Sequence, residues 1–153
     1  MDREQIKKDN EKKKEYLKGY RGHVRRIARI ESEISEIRQM RFSVSVENDG
    51  MPRGNGQSDL SNYVAELDGF IRELQEERYK RIITYKDIAL RIKQLQSENE
   101  KDVLFYRYIK GLDWWEIAET MKYSERQVHR FHGKALTSIR IPEEITKDVS
   151  ECQ

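Results

Sequence analysis

Residues 113–140 read DWWEIAETMKYSERQVHRFHGKALTSIR, and this stretch decides the fold. Asp113 stands three residues before Glu116, and Ser124 three before Gln127, each with the spacing of a capping box at a helix start. Trp114, Ile117, Ala118 and Met121 then fall on one face of a short helix. Val128, Phe131, Ala135, Leu136 and Ile139 do the same on the next. Two such helices joined by a turn of three or four residues make a helix-turn-helix. Ala118 is small enough to let the backbones approach, and the branched Val128 fills the angle.

Working back toward the N-terminus, Ser97 and Glu100 repeat the capping spacing ahead of VLFYRYI, and Gly111 suits the position after that helix. Three start signals between 97 and 124 predict a three-helix unit over 98–141, closed by Pro142. Residues 142–153 read as a loose tail ending near the lone Cys152. Residues 59–97 carry Leu60, Val64, Leu67, Ile71 and Leu74 in alternating steps of four and three. The register fails at Arg78 and Arg81 and resumes at Tyr85, Ile88, Ile92 and Leu95. That failure predicts a kink or the end of a partner helix, and Thr84 with Asp87 resembles a local cap there. Residues 3–41 carry Leu17, Tyr20, Val24, Ile27, Ile30, Ile34 and Ile37 at helical spacing, and their first dozen residues, almost all charged, are expected to fray. Between the two helices, 42–58 (FSVSVENDGMPRGNGQS) reads as a loop, with a short strand over 42–46 as the alternative.

Neither long helix buries its stripe alone. The expected architecture is therefore all-α: a long antiparallel helical hairpin over 1–97, then the three-helix helix-turn-helix module. A parallel dimer of either long helix competes with the hairpin. The composition agrees, since 36% of residues are hydrophobic and 38% charged, too thin a core for a compact globule and suited to narrow helical stripes. No apolar run reaches the roughly 20 residues of a membrane span, and the charged N-terminus has no hydrophobic signal region. A cytoplasmic protein is expected. Metal spacing of Cys and His, phosphate loops and nucleophile motifs are absent from the sequence, so neither a metal, a cofactor nor an enzyme is expected.

Charge sharpens the functional expectation. The net charge is +2, but residues 122–140 carry Lys122, Arg126, Arg130, Lys134 and Arg140 against Glu125 alone. Residues 1–41 carry 13 Lys/Arg against 8 Asp/Glu. The outward face of the last helix would present Glu125, Arg126, Gln127, His129, Arg130 and Lys134. Arg matches guanine and Gln adenine through paired hydrogen bonds in the major groove. Lys122 and Lys134 suit phosphates, as do the free amides near Ser124. Trp115 lies off the apolar stripe. Packing against the long helices and exposed contact with polymerase or DNA both account for it.

The stretch WWEIAETMKYSERQVHRFHGKALTSIRIP resembles region 4 of bacterial primary sigma factors, the helix-turn-helix that reads the −35 promoter element. The likeness rests on Glu116-Ile117-Ala118, the Ser124 cap, the branched Val128 four positions later, and the KAL..IR.P ending. The preceding VLFYRYIKG resembles the helix before that motif. The whole chain is similar to small phage and prophage proteins of Gram-positive bacteria, among them sigma-like late transcription regulators. The resemblance implies that Lys122, Ser124, Glu125, Arg126, Gln127, His129, Arg130 and Lys134 face double-stranded DNA in a phage-encoded transcription regulator. Bacterial RNA polymerase and a second copy of the chain are the further partners. The alternative is an interaction protein that docks on polymerase or a sigma factor without reading DNA. Two departures stand out: Lys122 holds a turn position usually given to Gly, and Gly133 sits inside the recognition helix. Nothing in the chain resembles the sigma regions that melt promoters.

Overall fold

The computed structural model describes residues 2–47 and 56–142, with side chains over 2–41 and 59–142. Five α-helices follow in order: α1 (Arg3–Glu47), α2 (Gly56–Lys93), α3 (Glu98–Leu104), α4 (Trp114–Met121) and α5 (Glu125–Ser138). A π-helical segment, Phe105–Ile109, continues directly from α3. The described residues contain no strand. The protein is all-helical, and no helix among the described residues is long and apolar enough to cross a membrane.

Three sequence expectations about the long helices are corrected. The loop expected over 42–58 is helical at 42–47, where α1 continues, and again from 56, where α2 starts. Residues 48–55 lie outside the described residues, as does the tail from 143. The alternation of Phe42, Val44 and Val46 does not make a strand. Extending an existing helix costs a β-branched residue only a few tenths of a kcal/mol, roughly 0.5, and a lone strand has no neighbour to bond. The break expected near Thr84 is absent, because α2 runs unbroken to Lys93. It ends there in a turn in which Leu95 donates back to the Ile92 carbonyl at 3.1 Å and buries its side chain.

The contacts divide the chain into two compact units, 23–81 and a second made of 1–22 with 82–153. The heptad register of α2 fails at Arg78 and Arg81, beside the 81/82 division.

In the unit 23–81, Ile27, Ile30, Ile34 and Leu74 form a buried cluster, with Leu67, Phe70 and Ile71 packed against it. Glu77 accepts from His23 Nδ1 at 2.9 Å and from Arg26 Nε at 3.3 Å. The His23 bond, followed by Arg26, holds its carboxyl below the usual carboxylate range against the opposing effect of burial. Arg78 reaches Glu31 at 3.0 Å, and the Arg41 guanidinium lies 4.8 Å from the Tyr63 ring centre. Contacts further along α1 thus meet residues nearer the start of α2.

The other unit joins the first 22 residues of the chain to the C-terminal helices. The expected fraying of the first dozen residues is not seen: α1 is helical from Arg3, and Leu17 is fully buried. Lys13 is also buried, and its ammonium donates to the Thr137 carbonyl at 3.4 Å. Arg91 donates to the Arg140 carbonyl at 2.8 Å. Two cations therefore meet carbonyls at the end of α5, where helical carbonyls lack partners of their own.

Candidate nucleic-acid interface

The site is built from α3 upward. Ser97 holds the cap position of α3, but its side chain makes no capping bond, so the expected capping box does not form. α3 widens into the π segment, and Gly111, two residues past its end, has φ +71. Arg21 lies against this glycine so closely that a β-carbon there would fall 2.7 Å from its Nε. Gly111 is favoured by its left-handed backbone, whereas the nearby guanidinium is the far end of a flexible side chain that can shift.

α4 begins at Asp113, whose backbone N–H donates to the Glu116 carboxylate at 2.8 Å. It ends at Lys122, a left-handed residue with φ 59 and ψ 41. This is the turn position where the resemblance leads one to expect glycine, and the backbone adopts the glycine-like conformation anyway. A lysine held there carries a strain of about 1 kcal/mol. Tyr123 N–H bonds back to the Ala118 carbonyl at 3.1 Å. Ser124 then caps α5, its Oγ accepting from the Gln127 amide at 3.2 Å.

α5 packs against α3 and α4. Ile117, Ala118, Val128, Ala135, Leu136 and Ile139 are all buried. Ala118 and Val128 take the buried positions that their spacing predicts. On the other side, Lys122, Ser124, Glu125, Arg126, His129, Arg130 and Lys134 are exposed, and Gln127 is half-buried. Among the described residues none of Lys122, Arg126, Arg130 and Lys134 is held in an ion pair. The turn and the first three turns of α5, with Glu125 among them, thus carry net positive charge in water.

Sequence reasoning missed the residues beneath this row. His132 is 7% exposed and shares a 2.8 Å hydrogen bond between its Nε2 and the Tyr108 hydroxyl. Burial, reinforced by Lys14, His129 and Arg107, pushes its pKa down to about 4. Burial pushes Tyr108 up to about 12. Both groups are therefore neutral near pH 7. Trp114 joins this pair to the surface. Its ring centre lies 4.8 Å from that of His132 and 4.3 Å from that of exposed His129, and the Arg107 guanidinium sits 4.5 Å away. Arg107 also donates to the Leu112 carbonyl at 3.0 Å. The signal was available: His132 stands four residues after Val128 and four before Leu136, on the inward stripe of α5. The π segment that brings Tyr108 to it has no sequence mark.

Trp115 is 58% exposed, so of its two readings the packed one does not hold. Tyr123 is 43% exposed and packs edge-on against Phe131, with ring centres 5.0 Å apart. No family model, no curated protein and no solved structure matches this chain.

Proposed function

We propose that residues 113–140 are a helix-turn-helix that reads double-stranded DNA, and that the protein is a transcription regulator of the phage-encoded, sigma region 4-like kind. In this reading the long helices form an antiparallel hairpin that presents the module, and α5 enters the major groove. Arg126 and Arg130 read base edges, assisted by Glu125, Gln127 and His129. Lys122, Ser124 and Lys134 hold phosphates and set the register.

One observation carries the proposal. α5 is capped by Ser124 and buried along Val128, Ala135 and Leu136, while Arg126, His129, Arg130 and Lys134 stand together in solvent. A row of solvated cations on a rigid, amphipathic helix is the electrostatic footprint of phosphate contact. The tilted contact of the His129 ring with Trp114 supports it further, because a base-reading side chain is most selective when its ring is already held.

The test is selection of bound sequences from random duplex DNA with the full chain, followed by binding of Arg126→Ala and Arg130→Ala to the recovered site. The reading expects a recovered consensus and a loss of about 1–3 kcal/mol per arginine with relaxed preference at one position each. Failure to retain any duplex at low salt overturns it. The exposed Trp115 favours a second reading, in which the module docks on RNA polymerase or a sigma factor. Polymerase capture that survives nuclease treatment, is lost in Trp115→Ala and persists in Arg126→Ala would favour that one.

A further inference from the structure

α2 carries a second apolar face that its own core does not use. At about 100° per residue, Leu74, Ile88 and Ile92 share one side, and they are 8%, 0% and 7% exposed. Tyr79, Ile83 and Leu90 share the side about 180° away, and they are 66%, 49% and 58% exposed. Ile82, 53% exposed, flanks them. Single exposed apolar residues are ordinary, but Tyr79, Ile82 and Ile83 cluster within about one turn, with Leu90 two turns on beyond Lys86, and such a grouping on one helical face suits a surface that meets another protein. This row is separate from the DNA-facing row of α5, and the inference stands whether or not α5 reads DNA.

Charge selects the occupant. Glu76 lies at one end of the face, Lys86 within it and Lys93 at the other end. Among the described residues none of the three is engaged in an ion pair. A face with an acid at one end and a base at the other complements itself when reversed. We infer that it pairs with the same face of a second copy, the two α2 helices antiparallel about a twofold axis at the level of Thr84 and Tyr85. Each Tyr79 then meets the partner's Leu90, each Ile83 lies along the methylene stem of the partner's Lys86, and each Glu76 reaches the partner's Lys93. Every contact occurs twice, as an isologous interface requires. The lysine heads stay in water while their stems cover apolar surface. A parallel pairing places Glu76 on Glu76 and Lys93 on Lys93. A polyanion would satisfy the lysines but leaves Tyr79, Ile83, Leu90 and Glu76 without a role.

Sedimentation equilibrium of the full chain, from micromolar to near-millimolar concentration, tests this. A reversible monomer–dimer equilibrium is expected. Leu90→Lys, at an exposed position that leaves the helical circular dichroism unchanged, should weaken it at least about tenfold, equivalent to roughly 1.4 kcal/mol. Glu76→Lys alone should weaken it several-fold, and Glu76→Lys combined with Lys93→Glu should restore it. A chain that stays monomeric throughout overturns the inference. So does a dimer indifferent to Leu90→Lys, which must use another face. A dimer that Leu90→Lys breaks but the charge exchange does not restore overturns the antiparallel register.

Discussion

The outward faces of α5 and α2 are both exposed, and they differ in everything else. On α5 the exposed row is Glu125, Arg126, His129, Arg130 and Lys134. On α2 it is Tyr79, Ile83 and Leu90, with Lys86 among them. The first face is stable in water as it stands and, in the proposed reading, would exchange counterions for phosphates. The second pays a hydrophobic penalty while it stays bare, and loses that penalty only against another apolar surface. Exposure alone therefore does not separate the two faces, whereas the chemistry of what is exposed does: the charged one suits the polyanion proposed for α5, the apolar one the second copy inferred for α2. The inner faces differ too. That of α2 is mainly apolar with the Glu77 pair to His23 and Arg26 on it, while that of α5 contains the buried His132 held to Tyr108.

The largest expected effect lies under α5 and separates the two helices by pH. The folded chain resists protonating His132 until about pH 4, whereas an unfolded histidine takes up its proton near 6.5. This contribution to stability is complete above pH 6.5 and is lost as pH falls toward 4. The loss reaches about 3 kcal/mol at ~1.4 kcal/mol per pKa unit. Denaturant titrations between pH 7 and 4 should show this slope in the parent and lose most of it in His132→Phe; equal slopes would mean that burial of the ring is not what resists protonation.

Salt provides the next test. If α5 and its turn neutralise about four phosphates, raising salt from ~50 to ~200 mM should weaken duplex binding roughly a hundredfold. Self-association through α2 should change only a few-fold, because its central contacts are apolar and its end pairs are few. Parallel titrations by fluorescence anisotropy and sedimentation would expose a shared mechanism if both fell together.

Substituting the Trp114 support should produce a smaller change. Trp114→Leu keeps an apolar side chain but removes the ring that meets His129 and the Arg107 guanidinium. A loss of about 1 kcal/mol in stability follows from the aromatic and cation–π contacts, together with a few-fold loss in duplex affinity. Unaltered affinity would show that His129 is not held for recognition. Smallest of all, Lys122→Gly relieves a left-handed lysine and should raise the midpoint of urea unfolding by an amount worth about 0.5–1 kcal/mol. Duplex affinity should meanwhile fall slightly with the lost cation.

The parts of this molecule that sequence predicted well are those set within a turn or two of chain. Asp113 and Ser124 stand at the starts of α4 and α5, Gly111 has its positive φ, and Lys122 turns left-handed. Capping and turn chemistry act over three or four residues, and the residues that act are adjacent in the string. The amphipathic spacing that buries Val128 and Leu136 is equally local, and it leaves Arg126 and Arg130 outside by elimination. The sequence by itself also determined that the chain is helical and that the charge on its last helix is one-sided.

Tertiary structure decided what depends on distant neighbours. Residues 42–47 are helical because a helix already formed upstream propagates into them, whatever their own preference. α2 passes Arg78 and Arg81 without a break, although its apolar stripe lapses there. The first 22 residues group with the C-terminal helices, and no local pattern announces that Lys13 will meet the end of α5. His132 is buried between Trp114 and the Tyr108 of the π segment, neither of which is its neighbour in sequence. Trp115 is left in solvent because the packed side of α4 is filled by Ile117 and Ala118. Local hydrogen-bonding geometry is written residue by residue; the choice of which surfaces meet is made by burial summed over segments far apart in sequence, and one string of residues does not display that sum.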